Sequence, residues 1–589
     1  MPRLQLSLAA PGLFAPPVPP VAVMYLGHST TDTLALTACP VSARTGTQHL
    51  HPLSTSCRVL LLLALPAAAS QASLPKMALK QNGGAHLVAD IDFIETPEPP
   101  ADTIATGKDC GVRLTKYPAI KNAPLPADGP GYEQWSNVLL FGALVGIPTW
   151  LSWKVGGGLK TTLFFSLFTS LPILIVIWTV MSKLSPRIND KVELPGRPVE
   201  FYLNFKSDLH RARWNGRHKI PMNTFFELYF TGQVDLNADA LELLEYRHEW
   251  ATFNFTSETF RYLLFGFFPD VILHLRSQDE AQVGTNYNHG NDHYAWFLGP
   301  RMIYTSGIIS DPTREETLEE MQDNKLAIVC EKIDLKQGET VLDIGCGWGT
   351  LAKFASVNYG AKVTGVTLAS NQAQWGNDGL RKAGIPEEQS KILVCDYRDI
   401  PDDTKFNKIT QLEMAEHVGV RRLTTFFRQC YEMLEDDGSM YVQLSGLRKA
   451  WQYEDFIWGL FLNKYIFPGA DASTPLSFYV GCLEAAGFEV KSVDTVGVHY
   501  SGTLWRWYRN WLGNAEKSKA KYGERWFRIW EIFLAYSTIA SRQGSATCFQ
   551  IVVVKNLNCT HRADGIHSQY GLQGALAAAK AAGKAFLPK

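Results

Sequence analysis

The sequence lacks the cysteine and histidine patterns that are typical of metal-binding or disulfide-stabilised domains. Its 10 cysteines are scattered over 589 residues, without a CxxC pair or a Cys/His group at zinc spacing. It also lacks a charge bias, because 56 basic side chains face 57 acidic ones and the formal net charge is -1. We therefore expect no structural metal and no disulfide framework, and the charge balance favours no nucleic-acid partner.

The N-terminal part of the chain lacks the regular spacing of apolar residues that is typical of packed helices and strands. Residues 1–76 are rich in Pro, Ala, Ser and Thr and predict a disordered or mis-assigned leader. The alternative is a targeting element, since Val59–Ala69 is similar to the apolar core of a signal peptide, although it begins far from the N-terminus. Residues 77–136 are polar and Pro-rich and predict a flexible arm.

Two apolar runs without charged residues follow, Val138–Trp153 and Thr161–Ser182. The second is long enough to cross a hydrocarbon core of about 30 Å at about 1.5 Å per residue, whereas the first is marginal and contains Pro148. Together they predict a two-helix membrane anchor over residues 137–182, the alternative being two buried helices of a soluble core. Basic residues on both flanks predict that the flanks, and the chain beyond them, lie in the cytosol.

The remaining chain divides by pattern into three parts. Residues 183–299 mix aromatic and charged side chains with helical periodicity, which predicts a helical lid or a membrane-proximal linker region. Over residues 300–557 short apolar runs alternate with helical segments, which predicts an α/β domain with a mostly parallel sheet covered on both faces. Residues 558–589 form a C-terminal tail.

A glycine-rich turn follows the first predicted strand of this α/β domain. Val341–Gly349 reads Val-Leu-Asp-Ile-Gly-Cys-Gly-Trp-Gly, and a helical segment begins at Thr350. Glycine lets backbone N–H groups approach a ligand closely and the helix start favours a carboxylate, so the turn predicts a nucleotide cofactor site. The next strand ends in Thr367–Gln372 without the acid that holds a dinucleotide ribose, and the third ends in Asp396–Asp399, placed to meet an adenine ring.

The fourth strand ends near a carboxylate and an imidazole, Glu416 and His417. At the carboxyl edge of the sheet these groups are placed for proton transfer beside a bound cofactor. The alternative role for Glu416 is that of a helix-capping acid.

Several motifs resemble, in order, those of the cyclopropane fatty acid synthase and mycolic acid methyltransferase family: Arg301–Ser306, the glycine loop with Trp348, Gly365–Leu368, Glu416–Gly419, Lys464–Gly469 and His499–Leu504. The apolar hairpin, the strand end Gln443–Arg448 and the tail motif Thr560–Gly565 are most similar to the fungal sphingolipid C9-methyltransferases. The resemblance implies a Rossmann-like class I S-adenosylmethionine-dependent methyltransferase domain preceded by a transmembrane helical hairpin.

The resemblance also implies that S-adenosylmethionine is the cofactor. Its contacts, carried over position by position, are Tyr304, Thr305, Val341, Leu342, Asp343, Ile344, Gly345, Cys346, Gly347, Trp348, Gly349, Thr367, Leu368, Ala369, Ser370, Asn371, Gln372, Tyr397 and Arg398. In cyclopropane synthases a bicarbonate ion is the base, held near a Cys, a Glu-His pair, a strand-end His and a Tyr.

This chain matches the bicarbonate-holding set at Glu416, His417 and Tyr500, but Ser306 replaces the Cys and Gln443 replaces the His. The two departures argue against a bicarbonate site of the usual kind and favour a side-chain base. We predict that Glu416 is this base, with His417 and Tyr500 beside it.

The implied reaction is methylation of C9 in a Δ8-unsaturated sphingoid base of ceramide or glucosylceramide, at the endoplasmic reticulum membrane. Methyl transfer to one alkene carbon leaves a cation on its neighbour. Proton loss from the new methyl group closes a cyclopropane, whereas proton loss from the methylated carbon restores a branched double bond. The alternatives are a membrane-bound cyclopropane synthase acting on phospholipid acyl chains and a catalytically silent lipid-binding protein; the pattern specifies no oligomeric state.

Overall fold

A computed structural model of the protein describes residues 136–184, 194–254, 256–267, 290–401, 403–449, 453–470, 473–557 and 571–587. The predicted leader, the arm up to residue 135 and the tail motif Thr560–Gly565 lie outside the described residues.

Two apolar helices, α1 (Asn137–Lys154) and α2 (Leu159–Leu184), pack against each other across a Gly-rich turn. In this turn the Gly157 N–H donates to the Ser152 carbonyl at 2.8 Å, and the Ser152 hydroxyl donates to the Gly158 carbonyl at 3.2 Å. Both predicted apolar runs are therefore helical. Among the described residues only the stretch from Leu159 to Ile177 is long and apolar enough to cross a membrane, and 6% of it is buried.

The described part of the region predicted as a lid or linker consists of short helices and two small ladders. β1 (Leu203–Phe205) pairs antiparallel with β3 (Val234–Leu236), and β2 (Ile220–Pro221) pairs parallel with β4 (Ala251–Thr252). The helices are α3 (Val199–Tyr202), α4 (Asp208–Arg213), α5 (Met222–Phe230), α6 (Ala240–Glu245), α7 (Arg247–Trp250), α8 (Ser257–Tyr262), a π-helical turn (Leu263–Phe267) and α9 (Asn291–Leu298).

This region does not stand apart from the rest of the chain. Its buried Trp250 belongs to the same hydrophobic core as Trp507 and Trp511, which lie more than two hundred residues later. Burial of three fully enclosed indoles in one core ties residues 194–254 to the C-terminal helices, because removing such large apolar surfaces from water is strongly favourable.

The central sheet has seven strands in the order β10-β11-β9-β8-β5-β6-β7. They are β5 (Thr340–Ile344), β6 (Lys362–Thr367), β7 (Ser390–Val394), β8 (Phe406–Leu412), β9 (Leu434–Leu447), β10 (Phe488–Thr495) and β11 (Ala546–Lys555). The pairs β9–β8, β8–β5, β5–β6 and β6–β7 are parallel, and β11 runs antiparallel to both of its neighbours. The predicted mostly parallel sheet is confirmed.

Helices cover both faces of the sheet. Successive strand residues point to opposite faces, so Val341 packs in one hydrophobic core and Leu342 in another. The covering helices and their neighbours are α10 (Leu318–Lys332), α11 (Thr350–Tyr359), α12 (Ser370–Lys382), α13 (Leu423–Met433), α14 (Tyr453–Phe461) with a π-helical turn (Leu462–Ile466), α15 (Leu476–Ala485), α16 (Gly497–Gly513), α17 (Ala515–Tyr522), α18 (Glu524–Gln543) and α19 (Leu572–Ala581). The predicted α/β domain with helices on both faces of its sheet is therefore confirmed.

Candidate active site

The glycine-rich turn joins β5 to α11 and forms one wall of a pocket. Gly349 immediately precedes α11 with φ +74°, a left-handed conformation that favours glycine. A Cβ atom at Gly349 would lie 3.1 Å from the Cα atom of Gly376 in α12, so the two helices approach closely here. The turn therefore brings the start of α11 to the pocket.

The pocket lies at the carboxyl ends of β5, β6, β7 and β8, where ligands bind in open α/β sheets. Most of the predicted cofactor residues line it: Tyr304, Thr305, Asp343, Ile344, Gly345, Cys346, Gly347, Trp348, Thr367, Leu368, Gln372, Tyr397 and Arg398. Chain segments far apart in sequence therefore converge on one cavity.

Two buried charged groups of opposite sign stand in the pocket wall. Asp343, near the end of β5, accepts a hydrogen bond from the Thr410 hydroxyl at 2.9 Å, and burial raises its pKa to about 6. Lys325, in α10, donates from Nζ to the Thr305 hydroxyl at 2.8 Å. Burial lowers the pKa of Lys325 to about 8, against the opposing effect of the Glu413 and Asp343 carboxylates.

Glu413 accepts hydrogen bonds from Ser306, Gln443 and Tyr500, which occupy positions that hold bicarbonate in the cyclopropane synthases. The Ser306 N–H donates to its Oε1 at 3.1 Å, and Gln443 Nε2 donates to the same oxygen at 2.6 Å. The Tyr500 hydroxyl donates to Oε2 at 2.8 Å, and the Ser445 hydroxyl donates to Oε2 at 3.3 Å. Burial and the Glu413 carboxylate raise the pKa of Tyr500 well above its usual range, so the phenol keeps its proton and acts as a donor.

Residues 274–551 match the mycolic acid cyclopropane synthetase family. Sphingolipid C9-methyltransferase 1 of Gibberella zeae is 83% identical over 513 residues, which cover 87% of this chain and 100% of the relative. The chain belongs to the sphingolipid C9-methyltransferase family. Two further relatives in it are sphingolipid C9-methyltransferase B of Emericella nidulans, 70% identical over 85% of this chain and 98% of the relative, and the Komagataella phaffii enzyme, 60% identical over 79% and 96%.

Among solved structures, the cyclopropane synthase MmaA2 from Mycobacterium tuberculosis matches this C9-methyltransferase family member with a TM-score of 0.43 and 23% identity. The match covers 47% of this chain and 98% of that chain.

Some residues that the sequence assigned to the cofactor of this C9-methyltransferase family member do not line the pocket: Val341, Leu342, Gly349, Ala369, Ser370 and Asn371. Val341 and Leu342 lie earlier in β5 and are buried in the two cores. Asn371, in the first turn of α12, donates from Nδ2 to the Asn291 side-chain oxygen at 3.1 Å. Contiguous motif residues alternate in direction along a strand or rotate around a helix, so only some of them face a ligand.

The Tyr500 hydroxyl, predicted to lie beside Glu416, donates to Glu413 instead. Glu416 and His417 belong to a 3₁₀ turn, Ala415–His417, which directs the buried Glu416 carboxylate to the Ser445 N–H. His417 lines the pocket, whereas Tyr500 bonds to Glu413. Glu413 directly follows the last residue of β8, and its N–H donates to the Gln443 carbonyl at 2.8 Å, which keeps it beside β9.

Sequence reasoning therefore missed Glu413 and Lys325 as site residues. A signal for Glu413 exists, since it is the first residue after a parallel strand and lies at the functional edge of the sheet. Lys325 carries no such signal, because it lies in the middle of α10, outside every motif.

The side chains of Asp396 and Arg398 at the third strand end pair with each other. Arg398 Nη2 lies 2.6 Å from Asp396 Oδ2, and the Asp396 carboxylate also accepts from the Arg398 N–H at 2.9 Å. The Tyr397 ring packs edge-on against Phe426, with 5.0 Å between ring centroids. These contacts hold the segment predicted to meet adenine in a defined conformation.

Proposed function

We propose that the chain transfers a methyl group from S-adenosylmethionine to C9 of a Δ8-unsaturated sphingoid base in ceramide or glucosylceramide. The observation that carries the proposal is the 83% identity to sphingolipid C9-methyltransferase 1 over the whole length of that relative. The α/β fold and the pocket at the carboxyl ends of its parallel strands are consistent with this assignment.

The residues of the pocket fit S-adenosylmethionine. The backbone N–H groups of Gly347 and Trp348, next to the start of α11, suit the methionine carboxylate, whereas those of Gly345, Cys346 and Gly349 donate to backbone carbonyls of the protein. Thr367 and Gln372, which bond to each other at 2.7 Å, offer neutral groups to the ribose, and Tyr397 and Arg398 border the region for adenine. When bound, this cofactor supplies a methyl group on a positively charged sulfur.

Aromatic side chains beside the pocket suit an apolar chain and exclude water from it. Tyr304 lines the pocket, and its ring lies 5.3 Å from that of Trp507 and 6.1 Å from that of Phe467. Trp507 also lies 5.9 Å from Tyr500. Electron-rich ring faces attract a cation by about 1–2 kcal/mol when water is excluded, so this group favours an alkene that becomes positively charged during the reaction.

The proposal also assigns a membrane anchor and a cellular location. Residues 137–182 anchor the chain in the endoplasmic reticulum membrane as a two-helix hairpin, and residues 300–557 form the catalytic domain in the cytosol. Residues 183–299 form the membrane-proximal layer, and residues 558–589 form a tail. Exposed apolar side chains on both helices support the anchor, among them Val145, Trp153, Phe164 and Val176, each at least 58% exposed.

The test is an assay of the purified full chain with a Δ8-unsaturated ceramide and S-adenosylmethionine that carries a fully deuterated methyl group. We expect a methylated product that keeps all of the transferred deuterium, because the departing proton comes from the lipid carbon. A cyclopropane product would lose one deuterium and would identify a cyclopropane synthase. Cofactor binding without turnover would identify a silent lipid-binding protein, and a ceramide saturated at C8–C9 is the matched control.

Gly347→Ala is expected to weaken S-adenosylmethionine binding at least about tenfold, equivalent to about 1.4 kcal/mol. Gly347 lines the pocket at φ +53°, and an added Cβ atom would meet no protein atom within 4 Å, so the methyl group would take space from the ligand. Gly338→Ala is the control, since Gly338 has φ +82° and equally open surroundings outside the pocket. Both changes carry similar backbone strain, and calorimetry should show weaker binding only for the first. Equal affinities would argue against this placement of the cofactor.

A further inference from the structure

The Glu413 carboxylate is the point at which hydrogen-bond donors of the active site converge. Besides Ser306, Gln443, Tyr500 and Ser445, the Cys548 thiol donates to its Oε1 at 3.6 Å. Glu413 also lines the pocket, at the edge where the cofactor is proposed to bind. The side chains and backbone around this carboxylate therefore present several hydrogen-bond donors to its two oxygens.

The two carboxylate oxygens of Glu413 have different surroundings. Oε1 accepts from two N–H groups, those of Ser306 and Gln443, which cannot become acceptors when the carboxyl group is protonated. Among the residues that the structure describes, Oε2 accepts only from the hydroxyls of Tyr500 and Ser445, and a hydroxyl can rotate and accept instead. Oε1 therefore positions the side chain, and Oε2 is the oxygen that can take up a proton.

The donors of Glu413 are themselves held in place. Gln443 and Gln550 are fully buried, and Gln550 Nε2 donates to Gln443 Oε1 at 3.0 Å. This bond turns the amide nitrogen of Gln443 towards Glu413. Glu413 itself has φ +57°, an uncommon conformation for a residue with a side chain, and such outliers concentrate at functional sites.

We propose that Glu413 is the general base of the reaction, a role that rests on the proposed C9 methylation. The C–H bond of the newly methylated carbon breaks, its electron pair forms the double bond to the neighbouring cationic carbon, and the proton moves to Glu413 Oε2. Charge balances, because a carboxylate and a carbocation become a neutral carboxyl group and a neutral alkene. The positions of Ser306, Gln443 and Tyr500 are those that the family resemblance assigns to a bicarbonate ion, so here a side chain takes the place of an external anion.

The first test replaces Glu413 by Gln in the full chain, which keeps the shape and removes the proton acceptor. Turnover of the Δ8-unsaturated ceramide should fall about 10²- to 10⁴-fold, while S-adenosylmethionine affinity and the thermal unfolding midpoint stay close to wild type. Glu387→Gln, an exposed carboxylate outside the pocket, is the control and should keep the wild-type rate.

The second test separates a base from a merely structural group. Glu413→Gly suits the positive φ and clears space for a small anion, so formate or bicarbonate should restore turnover in a concentration-dependent manner. Wild-type turnover should not change when bicarbonate is removed from the buffer. A structural role predicts no rescue by either anion.

The outcomes distinguish this inference from the proposed function. If the wild-type chain does not methylate the ceramide, the proposed function fails. If the wild type is active and Glu413→Gln turns over at the same rate, Glu413 is not the base, and Lys325 becomes the residue to test. Dependence of the wild type on bicarbonate, or absence of rescue in Glu413→Gly, would likewise overturn the inference.

Discussion

Glu454→Gln is expected to lower the free energy of unfolding by about 3–5 kcal/mol, because it leaves a buried cation without its counter-ion. The Glu454 carboxylate pairs with Arg247 and also accepts from the Tyr536 hydroxyl. Arg247 and Glu454 side chains are 1% and 2% exposed. Against the raising effect of burial, the Arg247 and His248 side chains hold the pKa of Glu454 well below its usual range, so the carboxylate is charged at neutral pH.

This ion pair joins parts of the chain that sequence patterns place in different regions. Arg247 belongs to α7, Glu454 to α14, and Arg247 also donates from Nη2 to the Gln543 side chain at 2.9 Å, at the end of α18. Loss of the pair should therefore loosen the attachment of residues 194–254 to the rest of the molecule.

Thermal and chemical unfolding of the detergent-solubilised chain, followed by tryptophan fluorescence, measure this effect. Asp208→Asn is the control, since Asp208 and its partner Arg211 are 95% and 54% exposed and such pairs contribute little, about 0–1 kcal/mol. The double change Arg247→Met with Glu454→Met should recover much of the loss, because it removes both charges. An unfolding midpoint for Glu454→Gln equal to that of the wild type would refute this assignment.

The double change Leu167→Arg with Phe168→Arg is expected to move the chain from the carbonate-resistant membrane fraction to the soluble fraction. Both side chains are exposed on α2, at 43% and 61%, where a bilayer would contact them. An arginine near the middle of a membrane helix costs about 2.5–3.5 kcal/mol, so two of them oppose insertion by about 5 kcal/mol or more.

The control is Leu209→Arg, which changes a side chain 74% exposed on α4, outside the hairpin, and should leave membrane retention unchanged. Protease treatment of sealed microsomes adds the orientation: the C-terminal part of the wild-type chain should be digested. Release of the wild type by carbonate would exclude the anchor, and protection of its C-terminal part would reverse the proposed topology.

Much of the catalytic fold could be predicted from the sequence. The strands β5, β6, β7 and β8 appear at the predicted places. Strand and turn preferences depend on residues that are close in sequence, so apolar runs and glycine turns predict them without knowledge of the tertiary structure. The cofactor loop could be predicted for a similar reason. The turn after β5 contains glycines with positive φ, a local backbone conformation that favours glycine.

Other features depended on side chains that meet only after the chain has folded. Glu413 and Glu416 are three residues apart and chemically alike, but in the folded chain Tyr500 bonds to Glu413, whereas Glu416 lies in a 3₁₀ turn and accepts from the Ser445 N–H. Lys325 acquires its lowered pKa from burial beside residues of other elements. The sequence by itself determined the α/β domain, its glycine loop and the two apolar helices, because local periodicity and backbone constraints suffice for these. The tertiary structure alone decided which carboxylate faces the pocket and which helices share a core, because those depend on contacts between residues far apart in the chain.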